Sequence, residues 1–203
     1  MVDVEHDRKL VPEDAVWRIL AQLVYALAYC HGHTRVQKTV QGGTMVVPAA
    51  VLHRDVKPGN VFLTDHTHCI VKLGDFGLAK VVAGEAAFTQ TVLGTPYYMA
   101  PEQVTGEHYN AKCDVWSLGC LVHELCALHP PFSAPDTKAL IANICACRRA
   151  PLPHAYSHDL ERVVAAMLNV NVCSSPHPHK NILTHSHAHT CTYRQAYGRP
   201  WRT

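Results

Sequence analysis

A chain of 203 residues with 48% hydrophobic content suits one globular core and a tail, and its formal charge of +2 gives no bulk attraction to nucleic acid or an anionic membrane. The acidic start Met1-Val2-Asp3-Val4-Glu5-His6-Asp7 has no apolar signal core, and the longest apolar stretch, Leu23 to Cys30, is too short to cross a bilayer. Nine cysteines, odd in number and never spaced Cys-x-x-Cys, read as reduced thiols of an intracellular protein, cytoplasmic or nuclear.

Pro12 marks the first helical position of a segment whose Val16, Leu20, Leu23, Val24 and Leu27 form one apolar stripe, predicting a helix from Pro12 to about His31. From Gly32 to Pro48 the periodicity is lost and Gly42-Gly43 appears, so a solvated loop is expected. Val61-Phe62-Leu63 and Ile70-Val71-Lys72-Leu73 flank the polar Thr64 to His68, the pattern of a short β-hairpin. Asp114 to Leu125 is apolar on nearly every side, as suits a buried central helix. Helical patterns recur at Asp136 to Cys147 and Ser157 to Leu168. Beyond Val172 the chain turns polar, histidine-rich and aperiodic, so residues 173–203 read as a disordered tail. The other reading of that tail is a zinc or nickel site using His177, His179, His185, His187, His189 and Cys191.

Phosphoryl transfer requires a carboxylate near the attacking hydroxyl, oxygen ligands for magnesium, and positive charge on the moving group. The run His53-Arg54-Asp55-Val56-Lys57-Pro58-Gly59-Asn60 can supply all three in one loop. Asp55 would accept or orient the hydroxyl proton, Lys57 would sit near the γ-phosphate, and Asn60 would offer an amide oxygen to the metal. Asp75-Phe76-Gly77 adds a carboxylate able to bridge Mg2+ to the phosphates, and the intervening hairpin lets the two loops meet.

These strings resemble the H-R-D-x-K-x-x-N and D-F-G signatures of protein kinases. Gly94-Thr95-Pro96-Tyr97-Tyr98-Met99-Ala100-Pro101-Glu102 resembles the end of their activation segment, and Asp114-Val115-Trp116-Ser117-Leu118-Gly119-Cys120 the start of their central helix. The resemblance implies a mainly α (α+β) fold, the large C-terminal lobe of a kinase over residues 1–172, with a short β-hairpin and a loop insertion at about 32–48. It implies a Ser/Thr kinase using ATP and Mg2+ on protein substrates, because Lys57 and Gly94-Thr95-Pro96 resemble Ser/Thr rather than tyrosine kinases. Thr95 would bond Asp55 and Lys57, and Asp114 would accept hydrogen bonds from the catalytic-loop backbone. Phe62 matches the side chain beneath the adenine; otherwise it is a core aromatic.

Asn60-Val61-Phe62-Leu63, Gly74 to Lys80, Thr95 to Met99, Leu118 to Leu128 and Pro130-Pro131-Phe132 resemble the NIMA-related kinases in particular. That resemblance makes Thr91 the preferred activating phosphosite, with Phe88 three residues before it, Arg54 as the phosphate's partner and Thr89 as the rival. Otherwise Thr91 is an ordinary solvated threonine.

The sequence departs from the family in three places, the last being the long loop from Gly32 to Pro48, read as a solvated insertion. It shows no Gly-rich loop, no Val-Ala-x-Lys strand and no helix-borne Glu, so the small lobe is missing and a small lobe or regulatory partner is needed for activity. The alternative is a pseudokinase-like lobe that binds without catalysis. Second, Asn169-Val170-Asn171-Val172-Cys173 stands where the family places the arginine partner of Glu102, while Arg199-Pro200 lies far downstream. Glu102 is therefore expected to be buried without its usual partner.

Overall fold

The computed structural model describes residues 9–39, 43–64, 70–78, 80–82 and 96–170. The expectations for Phe88, Thr89, Thr91, Thr95 and the tail fall outside the described residues.

Helix α1 spans Glu13–His31, and Pro12 precedes it as the N-cap, one place earlier than its sequence suggests. Its φ of -55° and ψ of 137° aim its carbonyl at the N–H groups of Ala15 and Val16. The helix buries Val16, Ile19, Leu20, Leu23, Leu27 and His31, and leaves Tyr25 and Tyr29 exposed. Its last turn closes when the Gly32 amide donates to the Ala28 carbonyl at 2.9 Å.

The segment expected to be loop instead forms an antiparallel hairpin, β1 (Thr34–Lys38) with β2 (Thr44–Pro48), in which Val36 opposes Val46. Every residue of β1 is exposed. Neither face of β1 is buried, so no apolar alternation marks it, and Gly43, which read as loop, directly precedes β2.

Strands β3 (Ala50–Leu52), β4 (Val61–Leu63), β5 (Val71–Leu73) and β6 (Lys80–Val82) make two further antiparallel pairs. The expected hairpin is β4–β5, with Val61 opposite Leu73. The pair β3–β6, with Leu52 opposite Lys80, ties the chain before His53 to the chain after Gly77.

Four helices follow: α2 (Pro101–Val104), α3 (Lys112–Ala127), α4 (Thr137–Cys145) and α5 (His158–Met167). Helix α3 is buried along most of its length, from Lys112 to Cys126, which explains its apolar residues on every side. Trp116 stacks on Phe132 at 5.5 Å between ring centroids and 6° between planes, and both are fully buried. A Cβ at Gly119 would lie 2.9 Å from the Met167 Cβ, so only glycine lets α5 come this close. The caps come from the sequence: Asp136 accepts the Ala139 amide at 2.8 Å and Ser157 the Leu160 amide at 3.3 Å.

Two carboxylates lock the ends of the helical layer. Glu13 accepts from the Ser157 amide at 2.8 Å, the Ser157 hydroxyl and the Trp17 indole at 3.0 Å. Burial alone would raise its pKa, but these donors hold it below the usual 4.5. Glu161 is buried enough to be raised as well, yet Arg149 and the Leu152 amide pull it down. The cysteines in the described residues are free thiols, and burial pushes Cys126 up to about 12. Among the described residues no helix is long and apolar enough to cross a membrane.

Candidate active site

The candidate catalytic loop begins where β3 ends. Asp114, in the first turn of α3 and fully buried, receives the backbone amide of His53 at 2.9 Å on Oδ2 and that of Arg54 at 2.7 Å on Oδ1. The sequence anticipated this anchoring. It did not anticipate His31, whose Nε2 lies 2.7 Å from Asp114 Oδ2 with both side chains buried. Three donors from α1 and the loop thus converge on one carboxylate, which satisfies the desolvated charge. The signal in the sequence was a histidine at the buried end of the α1 stripe.

This anchoring holds a strained backbone. Arg54 has φ of 71° and Asp75 φ of 56°, left-handed values unusual for residues with a Cβ. The two loops are joined by fully buried His53: its Nδ1 takes the Asp55 amide at 3.4 Å and its Nε2 lies 2.9 Å from the Gly74 carbonyl. The tautomer that satisfies both carries its proton on Nε2. The imidazole also meets the Phe76 ring edge-on, 4.6 Å between centroids.

The chemistry-bearing residues gather around Asp55. Lys57 Nζ and Asn60 Nδ2 both donate to Asp55 Oδ2, at 2.7 and 2.9 Å, and Asn60 Nδ2 also donates to the Asp55 carbonyl at 2.8 Å. Asn60 is 5% exposed, and its amide nitrogen is spent on Asp55, so its carbonyl oxygen is the atom left for another partner. Asp75 is exposed, and its Oδ1 accepts the Gly77 amide at 3.2 Å. Phe62, on β4, is 52% exposed and so is no core aromatic. Its ring lies over Gly74, where a Cβ would come within 2.7 Å of Phe62 Cε2.

The same helix carries the segment after the second loop. Ser117 donates its hydroxyl to the Tyr98 carbonyl at 2.7 Å, and the Tyr98 hydroxyl donates to Glu124 at 2.5 Å. Burial, then Glu124, raises the Tyr98 phenol above its ordinary range. The order of anchors along α3 therefore sets the order of functional segments above it.

The Protein kinase domain family matches residues 1–187. The chain belongs to the protein kinase family. It is 46% identical over 169 residues to serine/threonine-protein kinase Nek2 of Mus musculus, covering 81% of this chain and 34% of that protein. It is 40% identical over 171 residues to probable serine/threonine-protein kinase nek2 of Dictyostelium discoideum, covering 84% of this chain and 37% of the relative. For G2-specific protein kinase nimA of Emericella nidulans the identity is 41% over 183 residues, covering 83% and 25%. The resemblance to NIMA-related serine/threonine kinases is borne out, and this kinase chain spans 25% to 37% of the length of these relatives.

Two family expectations meet the geometry differently. Glu102 is buried, at 8% exposure, as expected, and it is not without interactions. Arg54, the expected phosphate partner, has its guanidinium 5.6 Å from the centroid of the Tyr109 ring, a cation–π contact.

Proposed function

We infer that this chain is the large lobe of a Ser/Thr protein kinase that transfers the ATP γ-phosphoryl group to hydroxyls of protein substrates. The observation that carries this reading is the clamp on Asp55. Lys57 and Asn60 share one carboxylate oxygen, so the other is left to a substrate hydroxyl among the described residues. Asp55 orients the hydroxyl and takes its proton, and Lys57 places a positive charge beside that carboxylate, toward the moving phosphoryl group.

The donor set fits Mg2+. Asn60 presents an amide oxygen held in place by its own nitrogen, and Asp75 an exposed carboxylate, both hard oxygen ligands. Bound there, the ion neutralises charge on the ATP phosphates. Phe62, half exposed on β4, supplies an apolar floor for the adenine. A small lobe completes the nucleotide slot, and Thr91, paired with Arg54 when phosphorylated, is the activating site.

The chain joined to the small lobe of a NIMA-related kinase should phosphorylate a generic Ser/Thr substrate with Mg-ATP. Asp55→Asn should lower turnover by roughly 10²–10⁴-fold with ATP binding retained. Asp75→Ala should weaken Mg-dependent nucleotide binding. Parent-like turnover in Asp55→Asn would sink the catalytic reading and leave a non-catalytic lobe.

A further inference from the structure

The β1–β2 hairpin lies outside the machinery described so far, and its hydrogen-bond parity shows which edge is open. The Thr39 amide donates to the Gly43 carbonyl at 2.8 Å, and the Ala49 amide to the His33 carbonyl at 2.9 Å. Those pairs continue the register of Thr34 with Pro48 and Val36 with Val46. Odd-numbered residues of β1 therefore bond inward to β2. The N–H and C=O groups of Thr34, Val36 and Lys38 point outward, along an edge with no partner strand among the described residues.

The opposite edge differs. Thr44, Val46 and Pro48 alternate outward there by the same parity, and proline has no N–H to offer. The β1 edge thus keeps three donors and three acceptors, beside an apolar cross-strand pair, Val36 and Val46, exposed by 70% and 66%. A solitary two-stranded ribbon with such an edge gains most from a third strand.

Charge decides what that strand is. No Asp or Glu occurs between Asp14 and Asp55, while Arg35 and Lys38 lie on β1 itself and His33 just before it. Two β1 edges brought together would set like charges side by side, so Arg35 and Lys38 oppose pairing with a second copy. The same cations draw carboxylates.

We propose that the β1 edge is a docking site for an extended acidic segment of a partner protein, which adds as a third antiparallel strand. Alternate residues of the segment pack beside Val36 on one face, and its carboxylates meet Arg35 on the other, with Lys38 adding positive charge at the end of the edge.

The test uses the full chain and a fluorescein-labelled Glu-Val-Glu-Val-Glu peptide, read by fluorescence anisotropy. The acidic peptide binds, Lys-Val-Lys-Val-Lys does not, and affinity falls as salt is added. Amide exchange at Val36 and Lys38 slows on binding. Arg35→Glu with Lys38→Glu weakens the acidic peptide by about tenfold or more and makes the basic peptide the better ligand. Val36→Pro removes an outward N–H that the ladder with β2 does not use, and also weakens binding. No binding of the acidic peptide overturns the proposal. So does equal binding of Glu-Pro-Glu-Pro-Glu, which cannot pair as a strand, or unchanged affinity in the charge-reversed chain. Dimers formed through β1 in sedimentation would assign the edge to a second copy and overturn it as well.

Discussion

After α1 the chain passes through two segments of opposite character. The β1–β2 hairpin is exposed along β1 and held chiefly by its own ladder, whereas His53 to Asn60 is anchored at its start by a buried carboxylate and stitched internally through Asp55. Both are short and both lie between the same two helices. Their difference shows that position in the chain does not set rigidity; the density of buried, satisfied polar contacts does. The left-handed Arg54 sits in the anchored segment, where surrounding bonds can hold it, and the open strand edge sits in the hairpin.

The largest blow to that contrast should come from Asp114→Ala. It leaves buried His31 and the loop amides of His53 and Arg54 without their acceptor, a loss of roughly 3–5 kcal/mol in urea denaturation. A loss under about 1 kcal/mol would mean that the loop is held by something other than α3. Gly119→Ala comes next, because its Cβ would meet Met167 and Leu168 at 2.9 to 3.1 Å. The same measurement should show a loss of about 1–3 kcal/mol, with the helical core paying for overpacking.

A smaller effect should follow pH. His123 is fully buried on α3, its Nε2 is 3.0 Å from the Ala150 carbonyl, and Arg149 and His129 face it. Burial chiefly, with Arg149 and His129 adding to it, holds its pKa below the ordinary 6.5, so the unfolded chain binds the proton more readily. Its contribution is therefore complete above pH 6.5 and falls as pH drops through the window below that value. Thermal melts from pH 7.5 to 5.5 should show a decline that is shallower in His123→Asn; equal slopes would remove His123 as the source. The smallest effect belongs to the hairpin: Val46→Thr should change stability by less than about 0.5 kcal/mol. A cost near that of Gly119→Ala would show the hairpin to be part of the core and erase the contrast.

The sequence made the contrast only half visible. The helices announced themselves because α1 buries an apolar stripe, α3 is apolar all round, and Asp136 and Ser157 cap α4 and α5. The candidate site residues were legible because Asp55, Lys57 and Asn60 fall within one loop, and local spacing is what a sequence displays. The β1–β2 hairpin was hidden, since strands exposed on both faces leave no alternation to read. His31 was only half visible: its place at the end of the α1 stripe marks its burial, but its partner lies 83 positions away and no local pattern marks that bond.

Asp114 has a consequence for the order in which the molecule assembles. Its bonds to His31, His53 and Arg54 close spans of 83, 61 and 60 positions, so none can form while the chain is searching locally. The candidate catalytic loop takes its shape only when Asp114 is in place beside it. The candidate loop therefore owes its shape to a carboxylate 60 and 61 positions further on, in a helix rather than in the loop itself.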